Sequence, residues 1–208
     1  MGIDAYWLLS ALGFAVAMSA TPGPNNAMVA ASGANFGIAR TLPHILGVSI
    51  GFPAMFAAVA FGLGGVLRPH PGIFVALRWI GAAYLLWLAW RVATARPLGA
   101  GDGVAGGRRA RPMRFGEAAL FQWANPKAWL AAMSAVAAYA TVGDHVAPLQ
   151  VTVLTVLFLV ICIPTTIMWT SIGAGTALLL RTGRQMRLFN LAMALLLVAS
   201  LAAMLLDV

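Results

Sequence analysis

Apolar residues run along this chain in long blocks, with polar residues gathered in the gaps and at two places inside the blocks. A helix that crosses a bilayer needs about 20 mainly apolar residues. Six blocks fit, at 6–34, 42–67, 73–93, 115–140, 149–180 and 188–206. The first, second and fifth are long enough to be tilted or broken. Helix-breaking polar residues interrupt the first block with TPGPNN at 21–26 and the fourth with NPK at 125–127.

Composition agrees with a membrane protein. Of 208 residues, 62% are hydrophobic and 9% charged, and the mean hydropathy is +0.90. A soluble domain is about a quarter charged, because its surface faces water. The net charge of +8 does not point to nucleic acid, since most arginines lie in short stretches between the blocks. Ten fall in alternate gaps, namely Arg40, Arg91, Arg96, Arg108, Arg109, Arg111, Arg114, Arg181, Arg184 and Arg187, and only Arg68 and Arg78 fall on the other side. Positive charge stays in the cytoplasm, so both termini are expected outside. The first block is expected to be a retained span rather than a cleaved signal. Asp4 is the only charge before it, and Met18 stands at −3 to the candidate cleavage site after Ala20, where a small residue is wanted. With Cys162 as the single cysteine, no intramolecular disulfide or CxxC pair can form.

The basic, Gly-rich stretch 99–112 divides the chain into two halves, 1–98 and 113–208. It reads as a linker and topology signal, with contact to anionic lipid as the alternative. The halves echo each other: a broken first span, a second span carrying Pro53 or Pro164, and a third span beginning near Arg78 or Arg187. Three spans per half make the second half enter from the opposite face. The expected fold is therefore an all-α integral membrane protein of six transmembrane helices, built as two inverted three-helix repeats with helices 1 and 4 broken.

The breaks carry the candidate chemistry. Pro22 and Pro24 around Gly23 leave free carbonyls before the break and a new helix N-terminus after it. Such groups cannot face lipid, and Asn25 and Asn26 add donors and acceptors. Lys127, the only lysine, lies about ten residues into the fourth block, about 15 Å deep at 1.5 Å per residue. An ionisable residue at that depth is functional by default. Pro126 suits the first turn of a half-helix, with Asn125 before it. Two positive helix ends, amides and an ammonium suit a carboxylate, and equally a phosphate or halide. Gln122, one turn before Asn125, is expected on the same face. Glu117 reads as a site for a proton or substrate amine, or as the partner of Arg114 or another loop arginine. His44 reads as an interfacial histidine or a group titrating near neutral pH. Gly33/Gly37 and Gly47/Gly51 read as close helix packing.

TPGPNN at 21–26, LRWIGAAYLLWLAW at 77–90 and FQWANPKAWL at 121–130 resemble the lysine-exporter (LysE-type) family of amino-acid efflux proteins. The resemblance extends over nearly the whole chain. It implies export of amino acids or close derivatives across the bacterial inner membrane, driven by the proton gradient, with no cofactor and no enzymatic activity. It implies site residues Pro22, Gly23, Pro24, Asn25, Asn125, Pro126 and Lys127. Thiol-disulfide carriers of the broader superfamily need two membrane cysteines, which excludes their relay chemistry here. An ion or metal transporter on the same scaffold is the rival reading; only Glu117 and Cys162 are near candidates for its ligands.

Overall fold

A computed structural model describes residues 3–63, 71–95, 111–142, 145–180 and 182–206. Among these residues the structure is all-helical apart from one short hairpin. The helices are α1 (Ala5–Ala20), α2 (Pro24–Phe36), α3 (Ile38–Ala58, continued by a π-helical turn, Val59–Leu63), α4 (Pro71–Ala93), α5 (Phe115–Ala124), α6 (Pro126–Tyr139), α7 (Pro148–Leu179) and α8 (Gly183–Leu206). Strands β1 (Thr141–Val142) and β2 (His145–Val146) pair antiparallel between α6 and α7.

Six spans were predicted, and the count differs. Among the described residues, three helical stretches are long and apolar enough to cross a membrane: Ile38–Gly62, Pro148–Leu179 and Gly183–Leu201. A fourth is the pair Ala5–Ala20 and Pro24–Phe36 if, bent by 53°, it counts as one span. One physical cause is a break: the fourth predicted span is divided at Asn125 into helices of 10 and 14 residues, each too short to cross alone. The third predicted span is the 23-residue helix Pro71–Ala93, within which Trp79–Ala93 is an apolar stretch. Both predicted breaks are present, at Thr21–Gly23 and at Asn125. The linker 99–112 lies outside the described residues as far as position 110, as do Arg68, Arg96, Arg108, Arg109 and Arg181.

Each element has local causes. Asp4 starts α1 by accepting the Trp7 amide at 2.8 Å. Pro24 and Pro126 occupy the first turns of α2 and α6, where the missing N–H is no loss. One residue, Gly37 at φ +78°, turns α2 into α3. Glycine takes that conformation without steric cost, so Gly37 is a turn and not the packing residue predicted. Gly33, Gly47 and Gly51 do pack as predicted. A Cβ on Gly33 would lie 2.2 Å from the Thr170 carbonyl oxygen, and one on Gly47 2.4 Å from that of Phe115. The tightest approach is Gly173 of α7 against Ala30 of α2, at 1.9 Å.

Two apolar cores lie on either side of the breaks. One joins α1, the far part of α3, α6 and the start of α7, with Phe158 meeting Phe52 at 4.9 Å and Phe56 at 5.2 Å between ring centres. The other joins α2, α4, α5 and α8 around Val29, Leu85, Phe121 and Leu197. The polar residues of both breaks occupy the layer between them.

Candidate functional site

The first break exposes the last carbonyls of α1, and side chains from three helices close on them. Asn26 donates to the carbonyls of Ser19 at 2.9 Å and Thr21 at 2.8 Å. Trp169 of α7 donates its indole N–H to Ala20 O at 3.2 Å. Lys127 of α6 donates from Nζ to Thr21 O at 2.6 Å, Thr21 Oγ1 at 3.2 Å and Pro22 O at 3.4 Å. The ammonium thus sits at the negative end of the α1 dipole. Gly23 makes room for it: a Cβ there would be 2.8 Å from Lys127 Cδ. No side chain caps the N-terminus of α2.

The second break is self-contained. The Asn125 amide donates to Gln122 O at 3.2 Å, and its side chain accepts the Lys127 amide at 3.2 Å. Its carbonyl accepts the amides of Ala128 and Trp129. An amide ring ties the breaks together: Asn25 Nδ2 donates to Gln122 Oε1 at 2.8 Å, and Gln122 Nε2 returns to Asn25 Oδ1 at 3.1 Å. Gln122 also donates to Ala118 O at 2.9 Å.

Between the breaks lies a small cavity of about 50 Å³. Gly23, Asn25, Asn26, Asn125 and Lys127 line it, so the structure gathers five of the predicted residues. Pro22, Pro24 and Pro126 shape the backbone instead, and Gln122, fully buried, reaches the cavity through Asn25. Sequence reasoning missed Ser19, Thr165 and Thr166, which add hydroxyls to the wall; Cys162, considered only as a ligand in the rival ion or metal reading, also lines it, its Sγ 3.7 Å from Ser19 Oγ. The available signal was a threonine pair directly after Pro164 in an otherwise apolar block. 

His44 and Glu117 are not at this cavity. They line a second, larger one of about 940 Å³ at the end of the bundle where Arg91, Arg111 and Arg114 converge. Glu117 pairs with both guanidinium nitrogens of Arg111, Nη1 at 2.8 Å from Oε2, and accepts the Arg114 amide at 2.9 Å. That hydrogen bond raises the Arg111 guanidinium above its ordinary range. His44 is 1% exposed, because α3 turns it into the bundle. Among the described residues no group of three or more His, Cys, Asp or Glu side chains gathers as a metal site would.

Broken apolar helices around a polar cavity are the arrangement with which multi-pass membrane transporters surround a solute. The sequence profile of the family described as LysE type translocator matches residues 16–207, and the chain belongs to that family. The chain is 31% identical over 142 residues to the cysteine/O-acetylserine efflux protein of Salmonella typhimurium, covering 67% of this chain and 66% of the relative. It is 32% identical over 136 residues to the protein of that name from Klebsiella pneumoniae, covering 64% and 65%, and 28% identical over 140 residues to that from Escherichia coli K12, covering 66% and 65%. The aligned part spans just under two thirds of these relatives' own length. No solved structure matches the chain.

Proposed function

We propose that this protein exports a small polar amino acid or a close derivative, of the kind named for its efflux relatives, by proton-coupled alternating access. The observation that carries the reading is the cavity between the breaks, where Asn25, Asn26, Asn125 and Lys127 meet small residues and the hydroxyls of Ser19, Thr165 and Thr166. A substrate carboxylate competes for Lys127 with the carbonyls of Thr21 and Pro22. The carbonyls are neutral acceptors, whereas a carboxylate adds the attraction of a full opposite charge, so the carboxylate wins the ammonium. The uncapped start of α2 adds positive potential, and the hydroxyls and freed carbonyls receive the substrate amine. Loss of the Lys127 contacts loosens the first break, and the Asn25–Gln122 pair is the contact that parts as the halves rock.

In this reading residues 1–98 and 113–208 are inverted three-helix repeats joined by the linker 99–112. Its support is that helices in matching positions pack together, α3 with α7 and α4 with α8. Both termini are outside, and the Arg91, Arg111 and Arg114 end is cytoplasmic. The test uses vesicles containing the purified protein and loaded with labelled O-acetylserine. An imposed proton gradient is expected to accelerate release; release unchanged both by the gradient and by Lys127→Met would reject the site. Orientation is tested by labelling a cysteine at Asp4 in a Cys162→Ala background, where labelling only from the cytoplasmic side would reverse it.

A further inference from the structure

The cavity at the basic end contains polar groups that the proposed mechanism does not use, and most are already satisfied. Asn35 donates to Ala31 O at 2.7 Å and Asn190 Oδ1 at 2.8 Å. Ser32 shares a hydrogen bond with Thr41 at 3.0 Å, and Arg111 is held by Glu117. His44 stands apart. It lines the cavity, is 1% exposed, and neither ring nitrogen has a hydrogen-bond partner. A buried polar group left unpaired is costly, so an unpaired ring on a cavity wall marks a place for a ligand. Neutral imidazole offers one donor and one acceptor, a pattern that complements a molecule presenting both.

The charges say which molecule. Among the described lining residues there are three cations, Arg91, Arg111 and Arg114, and one carboxylate, Glu117. Arg91 lies with its guanidinium 4.9 Å above the Trp87 ring, and the only salt bridge among the described residues is Arg111–Glu117. Its fork is therefore free for a carboxylate, which guanidinium binds through two parallel hydrogen bonds. Position links this cavity to the first: His44 is one turn before Val48 on α3, and Val48 lines the cavity between the breaks.

We propose that this vestibule is a second binding site for a small zwitterionic amino acid, its carboxylate on Arg91 and its ammonium on His44, adjoining the site at the breaks. The proposal rests on the reading of the protein as an amino-acid exporter. The experiment is equilibrium binding of labelled O-acetylserine to the purified full chain in detergent, with melting temperature recorded for each variant. Wild type is expected to bind two molecules per chain. Arg91→Gln and His44→Leu are each expected to bind one, with the remaining affinity within about twofold of the tighter wild-type site, by analogy with independent sites. His44→Gln, which keeps a donor and an acceptor, is expected to retain the second molecule more weakly. One molecule in wild type, lost in Lys127→Met but unchanged in Arg91→Gln and His44→Leu, overturns the second site and leaves the exporter reading standing. No binding in wild type overturns both. Anionic lipid retained one to one by wild type and lost in Arg91→Gln overturns the proposal in favour of a lipid headgroup.

Discussion

The two breaks look alike in sequence, each a proline beside asparagine in an apolar block, yet they are held in opposite ways. The break at Asn125 is one residue wide and closes with its own neighbours: backbone, side chain and carbonyl all find partners within four residues. The break at Thr21–Gly23 is wider and depends on the rest of the molecule. Although Asn26 and the Thr21 hydroxyl help, the carbonyls of Ala20, Thr21 and Pro22 are reached by Trp169 and Lys127, over a hundred residues away. The second break is thus a rigid platform and the first a joint whose geometry is lent to it. Two matching interruptions of a helix therefore need not be two equal halves of a site; here one holds the groups that set the shape of the other.

The contrast can be broken most directly at Lys127. Lys127→Met removes a charged donor from two carbonyls and is expected to abolish export, about 100-fold or more, and to cost about 2 kcal/mol of stability, read by vesicle efflux and by melting. If export survives, the first break does not depend on the second. Gly23→Ala comes next. It places a methyl within 2.8 Å of Lys127 Cδ, and the lysine, a flexible chain, is expected to shift; export is expected to fall about tenfold with little change in melting, as overpacking costs of about 1–3 kcal/mol are relieved by movement.

The amide ring offers a finer test. Asn25→Ala takes the ring partner from the buried Gln122 amide and Gln122→Ala takes it from the half-buried Asn25 amide, so the double variant is expected to lose less stability than the two singles summed, by about 1 kcal/mol. Strict additivity would mean the ring does not join the breaks. The smallest effect is expected at the platform itself. Asn125→Ser keeps an N-cap and is expected to melt like wild type, while Asn125→Ala costs about 1 kcal/mol; a larger loss in the serine variant would show that the second break, too, leans on distant partners.

What could be read in the sequence follows the same division. Pro22, Pro24 and Pro126 disturb their own turns, so the breaks and the half-helix starts are legible from local chemistry. The depth of Lys127 is legible from its distance along the block. Its partners are not, because they are backbone carbonyls of a helix 105 residues earlier, and no side-chain identity announces a carbonyl. The same applies to Gln122, placed on the right face but not against Asn25; Glu117, by contrast, reads in the sequence as a partner of a loop arginine, and it pairs with the Arg111 side chain and the Arg114 amide. That the His44 ring is buried is not legible from its place at the start of an apolar block. The single-residue turn at Gly37 starts α3 early, at Ile38, and carries the ring inward. The span count failed where helix length depends on a break, since hydropathy sums across Asn125 while hydrogen bonding stops there.

That turn has a mechanical consequence. Helix α2 is a rod of thirteen residues with an interruption at its start, Gly23, and a single glycine at its end, Gly37. A short stiff rod pivoted at both ends behaves as a connecting link. Tilting at the first break swings its far end, and that end leads at once into α3, with no loop to absorb the movement. Helix α3 bears His44 at one cavity and Val48 at the other, so both cavities are geared to a single joint.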